Sequence, residues 1–273
     1  MIGNLDKMKT ELIDGKSTYH MVLSDNLIPL NSLVGKKVSL KFTGTINCCN
    51  CNKSTKKSYG GGYCYPCTIK LAECDMCILK PELCHFEKGT CREPEWGKTN
   101  CMIDHYVYLA NSSGLKVGIT RHTQIPTRFM DQGAIEALPI MKVTTRYHSG
   151  LVEKLLSSEL KDKTDWRKML KGEKVDLDLY EERDNVFETF GDELDRLEDK
   201  MQGAGITFLE REEIIKIDYP VNIYPEKVSS MSFDKTPLIS GVLNGIKGQY
   251  LIFDNGVINI RTHTGYQIEM ENL

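Results

Sequence analysis

Residues 105–128, HYVYLANSSGLKVGITRHTQIPTR, decide how the chain is read. Tyr106, Tyr108 and Ala110 alternate with apolar neighbours, the period-two pattern of a half-buried strand. Asn111, Ser112, Ser113 and Gly114 supply turn chemistry, and 115–120 (LKVGIT) reads as the returning strand. Pro126 fits the first position of a helix, where its missing N–H costs nothing. Arg128 then falls in that helix's first turn, the wrong sign for the positive end of the dipole, so some demand other than helix stability put it there.

Toward the C-terminus the helix is short, weakened by Gly133, and 138–147 is rich enough in β-branched and apolar residues to predict a third strand. His148-Ser149-Gly150 reads as a helix start, and Leu151, Leu155, Leu156 and Leu160 recur at helical spacing after it. Thr164-Asp165 could cap one more short helix carrying Trp166 and Arg167. The expected order is β-β-α-β-α, with Glu153 in the first turn of the last helix.

On the N-terminal side stand all ten cysteines, between Cys48 and Cys101. Cys48-x-x-Cys51 and Cys64-x-x-Cys67 are two CxxC knuckles joined by a Lys- and Gly-rich loop. Each places two thiolates on one tight turn, and two such turns complete a zinc tetrahedron at about 2.3 Å Zn–S. Cys49 is a substitute ligand. A second site is expected from Cys74, Cys77, Cys84 and Cys91, with His85 able to replace Cys84 and Cys101 and His105 as spare ligands. Disulfides and a redox CxxC are the competing readings; four thiols in paired knuckles fit a metal better. Enough thiolates exist to close both sites, so one or two structural zinc ions are expected.

The chain has 273 residues, room for more than one domain, and a net charge of −3. That charge is unevenly spread: 106–171 carries 11 basic and 6 acidic side chains, 172–218 carries 6 and 16. This is not the uniformly basic balance of a protein that wraps nucleic acid, but it leaves a cationic centre for an anionic ligand. The polar N-terminus shows no signal peptide and no apolar run approaches the roughly 20 residues of a membrane span, so the expected place is the cytoplasm with no membrane partner. No stripe long enough for a coiled coil argues for an oligomeric state.

The central residues resemble the GIY-YIG nuclease core. YVY at 106–108 stands for its first motif, KVG at 116–118 for its second, Arg128 for the helix arginine and Glu153 for the metal-binding glutamate. The likeness covers about 102–171. Tyr106 replaces the first motif's Gly, Lys116 replaces the second motif's Tyr, and the interval from Gly118 to Arg128 is about two residues longer than usual. The chain as a whole, including GYCYPC, GTCREPEWG, SSGLKVGITR and GIKGQYLIFDNGVINIR, resembles a family of uncharacterised bacterial proteins.

The GIY-YIG resemblance implies metal-dependent phosphodiester cleavage. Glu153 would hold one Mg²⁺ or Mn²⁺, Tyr108 would help to deprotonate the attacking water, Lys116 offers an alternative base, and Arg128 would stabilise charge on the phosphoryl oxygens. Each residue also has a plainer role: Tyr106 and Tyr108 as strand residues, Lys116 as an exposed strand charge, Glu153 as a dipole-favoured first-turn acid, and Arg128 as its ion-pair partner.

Elsewhere 17–47 looks β-rich, with extended runs at 18–23 and 37–46. Segment 172–212 is acidic and partly helical, with Leu194, Leu197 and Met201 on one face of a solvated helix. From Glu213 onward the chain is β in character: runs at 214–217 and 221–224, a hairpin signal at 251–258 with Asn255-Gly256 suited to a type I′ turn, and Gly241, Gly245 and Gly248 as bends of a small barrel or strongly curved sheet. The expected fold is α+β, divided into 1–47 (β-rich, pairing with the C-terminal region), 48–101 (zinc module), 102–171 (GIY-YIG-like core), 172–212 and 213–273. The leading function is a zinc-containing protein acting on nucleic acid, DNA or RNA, as a divalent-metal-dependent endonuclease. The alternative is a non-catalytic nucleic-acid-binding or assembly module with structural zinc.

Overall fold

The computed structural model describes residues 1–160, 164–201 and 205–272 and is a mixed α+β fold built on two antiparallel sheets. The chain opens with β1 (Ile2–Ile13), β2 (Lys16–Leu23) and β3 (Asn26–Pro29), then β4 (Lys37–Ile46). The long first strand is not evident in the sequence. Its outward positions carry Asp6, Lys9 and Glu11, and a register shift between Asp6 and Lys9 breaks the alternation that Leu5, Met8 and Thr10 would otherwise show.

The cysteine-rich segment follows with three short helices, α1 (Tyr65–Lys70), α2 (Met76–Leu79) and α3 (Pro94–Asn100). Next come β5 (His105–Asn111), β6 (Leu115–Arg121), α4 (Thr127–Asp131), β7 (Glu136–Val143), α5 (Arg146–Leu156) and α6 (Trp166–Leu170). This is the expected β-β-α-β-α order with its extra short helix, and Asp165 caps α6 by accepting from the Arg167 and Lys168 amides. Pro126 stands one residue before α4, at its N-cap.

Two boundaries differ from expectation. The third strand ends at Val143, and α5 begins at Arg146, where the Thr145 hydroxyl accepts from the His148 amide. A threonine is the stronger cap, and Gly150 is tolerated inside the helix because a Cβ there would lie 2.5 Å from Pro81 Cβ. Glu153 is thereby two turns into α5 rather than in its first turn, beyond reach of the dipole end.

The helix α7 (Leu179–Lys200) is capped by Asp178 and turns Leu179, Val186, Phe190 and Leu194 inward, with Leu197 and Met201 beside them. These residues pack with Val107, Leu109, Val117 and Ile140, so α7 and α5 cover one face of the β5–β7 sheet. The other face, with Tyr108, Ala110, Phe129 and Ala137, joins the core of the larger sheet. β5 is therefore buried on both sides, not half-buried, because α5 and α7 cover one face and the core of the larger sheet covers the other.

Two short strands, β8 (Thr207–Phe208) and β9 (Ile215–Lys216), pair with β7. The smaller sheet runs β6-β5-β7-β8, with β9 also on β7. The chain ends in β10 (Leu238–Lys247), β11 (Tyr250–Phe253), β12 (Gly256–Asn259) and β13 (Tyr266–Asn272). The larger sheet has the order β12-β11-β10-β4-β13-β1-β2-β3, so N- and C-terminal strands share one sheet rather than a small barrel. Residues 221–224 form no strand; they lie against β10 through a bridge from Val221 to Gly245 and through the Asn222 and Ile223 amides, which donate to the Asn244 carbonyl. The β11–β12 turn is Asp254-Asn255, and neither residue has positive φ, so it is not type I′. Instead Asp254 Oδ1 accepts from the Val242 amide, tying the turn back to β10.

The two sheets are joined by polar contacts as well as by packing. Gln249 exchanges two hydrogen bonds with the Met8 backbone and donates to Asp131 Oδ1 at 2.8 Å, and Lys7 pairs with Asp131 at 3.0 Å. Among the described residues no helix is long and apolar enough to cross a membrane.

Candidate functional site

Cys48 follows β4, where Asn52 in the left-handed region (φ 56°) lets the chain turn sharply enough for the Asn52 amide to reach the Cys48 carbonyl. Cys64 stands at the N-cap of α1 and Cys67 in its first turn, with Pro66 between them suited to a helix start. The two knuckles meet: the sulfurs of Cys48, Cys51, Cys64 and Cys67 all lie within 4.8 Å of one another. Cys51 Sγ and Cys64 Sγ are 3.7 Å apart, close to the edge of about 3.8 Å that a tetrahedron of four sulfurs around zinc at about 2.3 Å requires.

The protonation of this cluster has the same character. Burial pushes the Cys48 thiol up, but the backbone amides of Cys51, Cys64 and Asn50 outweigh it and bring it down to about 6. At Cys64 the Cys67 amide favours the thiolate, yet burial and the crowding thiols of Cys67, Cys48 and Cys51 push it up to about 12. Four sulfurs this close cannot all ionise without a cation among them. The donor set fits, and this four-cysteine cluster could hold a zinc ion. Cys49 is outside it and faces Gly62, and burial pushes its thiol up to about 11.

Of the other cysteines, Cys77, Cys84 and Cys91 line one small cavity together with Cys101. Cys74 is not among them; its sulfur lies toward Gly60, 3.8 Å from where a Cβ there would stand. His85 sits 3.6 Å from Asp75 and hydrogen-bonds Thr90 Oγ1 at 2.7 Å. His105 is fully buried with Nδ1 against the Ile103 carbonyl and Nε2 without a partner, and burial lowers it to about 4.

The four residues of the GIY-YIG-like set come from different elements. Tyr108 on β5 and Lys116 on β6 share a face, both are buried, and both donate to Gln132 Oε1, the tyrosine hydroxyl at 2.9 Å. Lys116 is therefore not an exposed strand charge: it sits under α4, on the face that packs against the larger sheet. Gly118 lies across from Tyr108 in the ladder, and the Phe129 ring lies tilted at 58° against the tyrosine ring, with centroids 4.6 Å apart. Burial pushes Tyr108 up; the charge and hydrogen bond of Arg128 pull against this, and the negative charge of Glu153 adds to it. Tyr108 and Lys116 thus meet at Gln132, a residue that sequence reasoning did not single out, while Arg128 and Glu153 act on the tyrosine.

A cleft of about 780 Å³ opens nearby, walled by the cysteine-rich segment, the small sheet and the large one. Lys7, Arg121, Arg146 and Arg261 line it, against Asp6 and Glu73. Arg121 donates to Asn100 Oδ1 and Arg146 to the Ile78 carbonyl at 2.6 Å, so both guanidinium groups also bind the cysteine-rich segment to the core. Arg146 escaped notice because it was expected in a strand; it is the first residue of α5.

The description "Protein of unknown function (DUF2797)" matches residues 35–268, well over half of the chain. The chain belongs to this family. The match runs from just before β4, through the cysteine cluster and the Tyr108–Gln132 group, into β13, so the matched span takes in both candidate sites. No curated protein and no solved structure matches the chain.

Proposed function

We propose that this protein is a zinc-containing phosphodiesterase acting on nucleic acid, with a GIY-YIG-like site at Tyr108, Lys116, Arg128 and Glu153. The observation that carries the reading is the convergence of Tyr108 and Lys116 on Gln132, with Arg128 and Glu153 acting on the same tyrosine. Strand residues with purely structural roles have no reason to bury a lysine and a tyrosine on one amide oxygen, since each buried polar group must recover the hydrogen bonds it loses.

In this reading the buried Tyr108 stays a neutral phenol and positions rather than deprotonates, its hydroxyl fixed by Gln132. Lys116 is the group that takes a proton from the attacking water. Arg128 meets the charge that develops on the phosphoryl oxygens. Glu153 supplies one hard carboxylate, a donor that suits Mg²⁺ or Mn²⁺, ions that keep most of their waters and take the rest of their ligands from a phosphate; such an ion would provide Lewis-acid polarisation. The cleft lined by Lys7, Arg121, Arg146 and Arg261 offers the cationic track that a polyphosphate backbone needs. The Cys48–Cys67 cluster, closed by four thiolates, holds zinc as a structural element worth about 10 kcal/mol or more of folding free energy.

The test is an end-labelled nuclease assay with Mg²⁺ and Mn²⁺ on single- and double-stranded DNA and RNA, with wild type and Glu153→Ala purified identically. Cleavage by wild type that Glu153→Ala lacks supports the reading, and equal cleavage by both refutes it. The full burial of Tyr108 favours a second reading, a non-catalytic nucleic-acid-binding module. In that case wild type yields no product, while Arg128→Ala weakens binding.

A further inference from the structure

Outside the four-cysteine cluster, Asp75, Cys77 and His85 bring three different donors together. A carboxylate oxygen, a sulfur and a ring nitrogen all lie within 4.8 Å of one another. Asp75 is the N-cap of α2, Cys77 lies inside that helix, and His85 comes just after the short turn that follows it. We propose that these three residues hold a second zinc ion, with its fourth position open to one water.

The histidine ring decides the reading. The Thr90 hydroxyl donates its one proton to the His85 carbonyl at 3.3 Å, so at 2.7 Å it accepts from Nδ1–H of the same residue. In the neutral ring Nε2 is then a bare lone pair. It faces Asp75 Oδ2 at 3.6 Å, too far for a hydrogen bond even from a protonated ring. Nitrogen and oxygen ligands at about 2.0–2.2 Å from a tetrahedral zinc stand about 3.3–3.6 Å apart. The spacing is that of two ligands on one ion. The Cys77 sulfur sets the class of ion, since a thiolate suits zinc and not magnesium or calcium.

The ligands are braced from outside, as metal-binding carboxylates and histidines are. Asp75 Oδ1 accepts from the Cys77 amide at 3.2 Å, and Oδ2 pairs with Arg92 Nε at 2.6 Å. Arg92 in turn donates through Nη1 to the Thr68 and Leu71 carbonyls, at 3.0 and 3.2 Å. A helix cap and an ion pair account for Asp75 alone. They give no reason for a sulfur and an imidazole to converge on it.

The three residues also line a cavity of about 10 Å³, room for one water-sized sphere. That is the space a single ligand water takes. Cys74 turns its sulfur toward Gly60 instead. Cys84, Cys91 and Cys101 line the cavity but belong to no group of donors this close among the described residues. Three protein ligands and a water make an open site, unlike the closed set of Cys48, Cys51, Cys64 and Cys67.

The experiment is zinc analysis of the full-length protein, purified from zinc-replete cells and freed of loose metal by gel filtration. Wild type should carry two zinc ions per chain. Cys77→Ser and His85→Ala should each lose one, and Cys51→Ser should lose the other. Cys74→Ser, Cys84→Ser, Cys91→Ser and Cys101→Ser should keep both. The zinc that remains in His85→Ala certifies that the variant is folded. A chromogenic chelator added to wild type should withdraw zinc in two phases, and the faster phase should be missing from His85→Ala. One zinc per chain in wild type, kept by His85→Ala and lost by Cys51→Ser, would overturn the proposal, as would two zinc ions kept by His85→Ala. Loss of one zinc from Cys84→Ser, Cys91→Ser or Cys101→Ser would make a thiol the fourth ligand and overturn the open position.

Discussion

Gly118 lies directly across the β5–β6 ladder from Tyr108, and a Cβ at position 118 would stand 2.6 Å from the tyrosine hydroxyl. The glycine is what lets a fully buried phenol reach Gln132. Gly118→Ala should therefore cost about 1–3 kcal/mol by overpacking, read from urea denaturation. Combined with Tyr108→Ala it should cost at least about 1 kcal/mol less than the two single effects added together. Strict additivity would show that the tyrosine is not what fills the space.

Two helical glycines should respond to the same substitution with opposite signs. Gly191 in α7 has nothing within 4 Å of its absent Cβ, so Gly191→Ala should stabilise by about 1 kcal/mol through helix propensity alone. Gly150 in α5 has Pro81 Cβ at 2.5 Å and the Glu82 amide at 2.6 Å. Gly150→Ala should destabilise by about 1–3 kcal/mol despite the same propensity gain, because it pushes the cysteine-rich segment off the core. Melting temperatures moving in the same direction for both would show that this contact contributes little.

Withdrawing zinc with a chelator should open the Cys48–Cys67 loop to protease while the large sheet stays protected. Proton competition gives a finer signature. Cys48 is held at about 6 by backbone amides, so zinc binding displaces one proton fewer from this site above pH 6 than below it. A plot of log zinc affinity against pH should steepen by one unit as pH falls through 6. A constant slope from pH 5 to 8 would place the anionic sulfur elsewhere.

His105 adds a pH dependence of known sign. Burial lowers it from 6.5 to about 4. Above pH 6.5 it is neutral folded or unfolded, and its contribution is fully present. Between 6.5 and 4 the unfolded chain binds a proton that the folded protein refuses, so stability falls as pH falls. The loss approaches about 3 kcal/mol near pH 4. His105→Gln should remove that part of the slope while leaving the part due to zinc, measured as the difference between the two proteins in urea titrations at pH 7 and 4.5.

The sequence was most legible where local chemistry fixes local structure. The turn residues 111–114, the paired CxxC knuckles and the Asp165 cap each act within a few residues, and the β-β-α-β-α order followed from them. Features that depend on distant contacts stayed hidden. Gly150 looked like a helix start because its partner, Pro81, is far off in sequence. Gln132 has no motif; its role exists only because β5 and β6 bring Tyr108 and Lys116 to it. Cys101 stands apart from the closely spaced cysteines and joins Cys77, Cys84 and Cys91 at one cavity only when α3 folds back. β1 was missed because its outward charges and register shift mask a strand that buries its other side.

The position of β13 bears on how the large sheet assembles. It pairs with β1 on one side and β4 on the other, so strands far apart in sequence must meet in the middle of that sheet. Until residues 266–272 are in place, both neighbours present open edges, and the half-built sheet is exposed to wrong strand partners. Assembly of the sheet is then slowed by its dependence on distant contacts, and deleting residues 266–272 should leave a chain that aggregates rather than one that merely loses a peripheral strand.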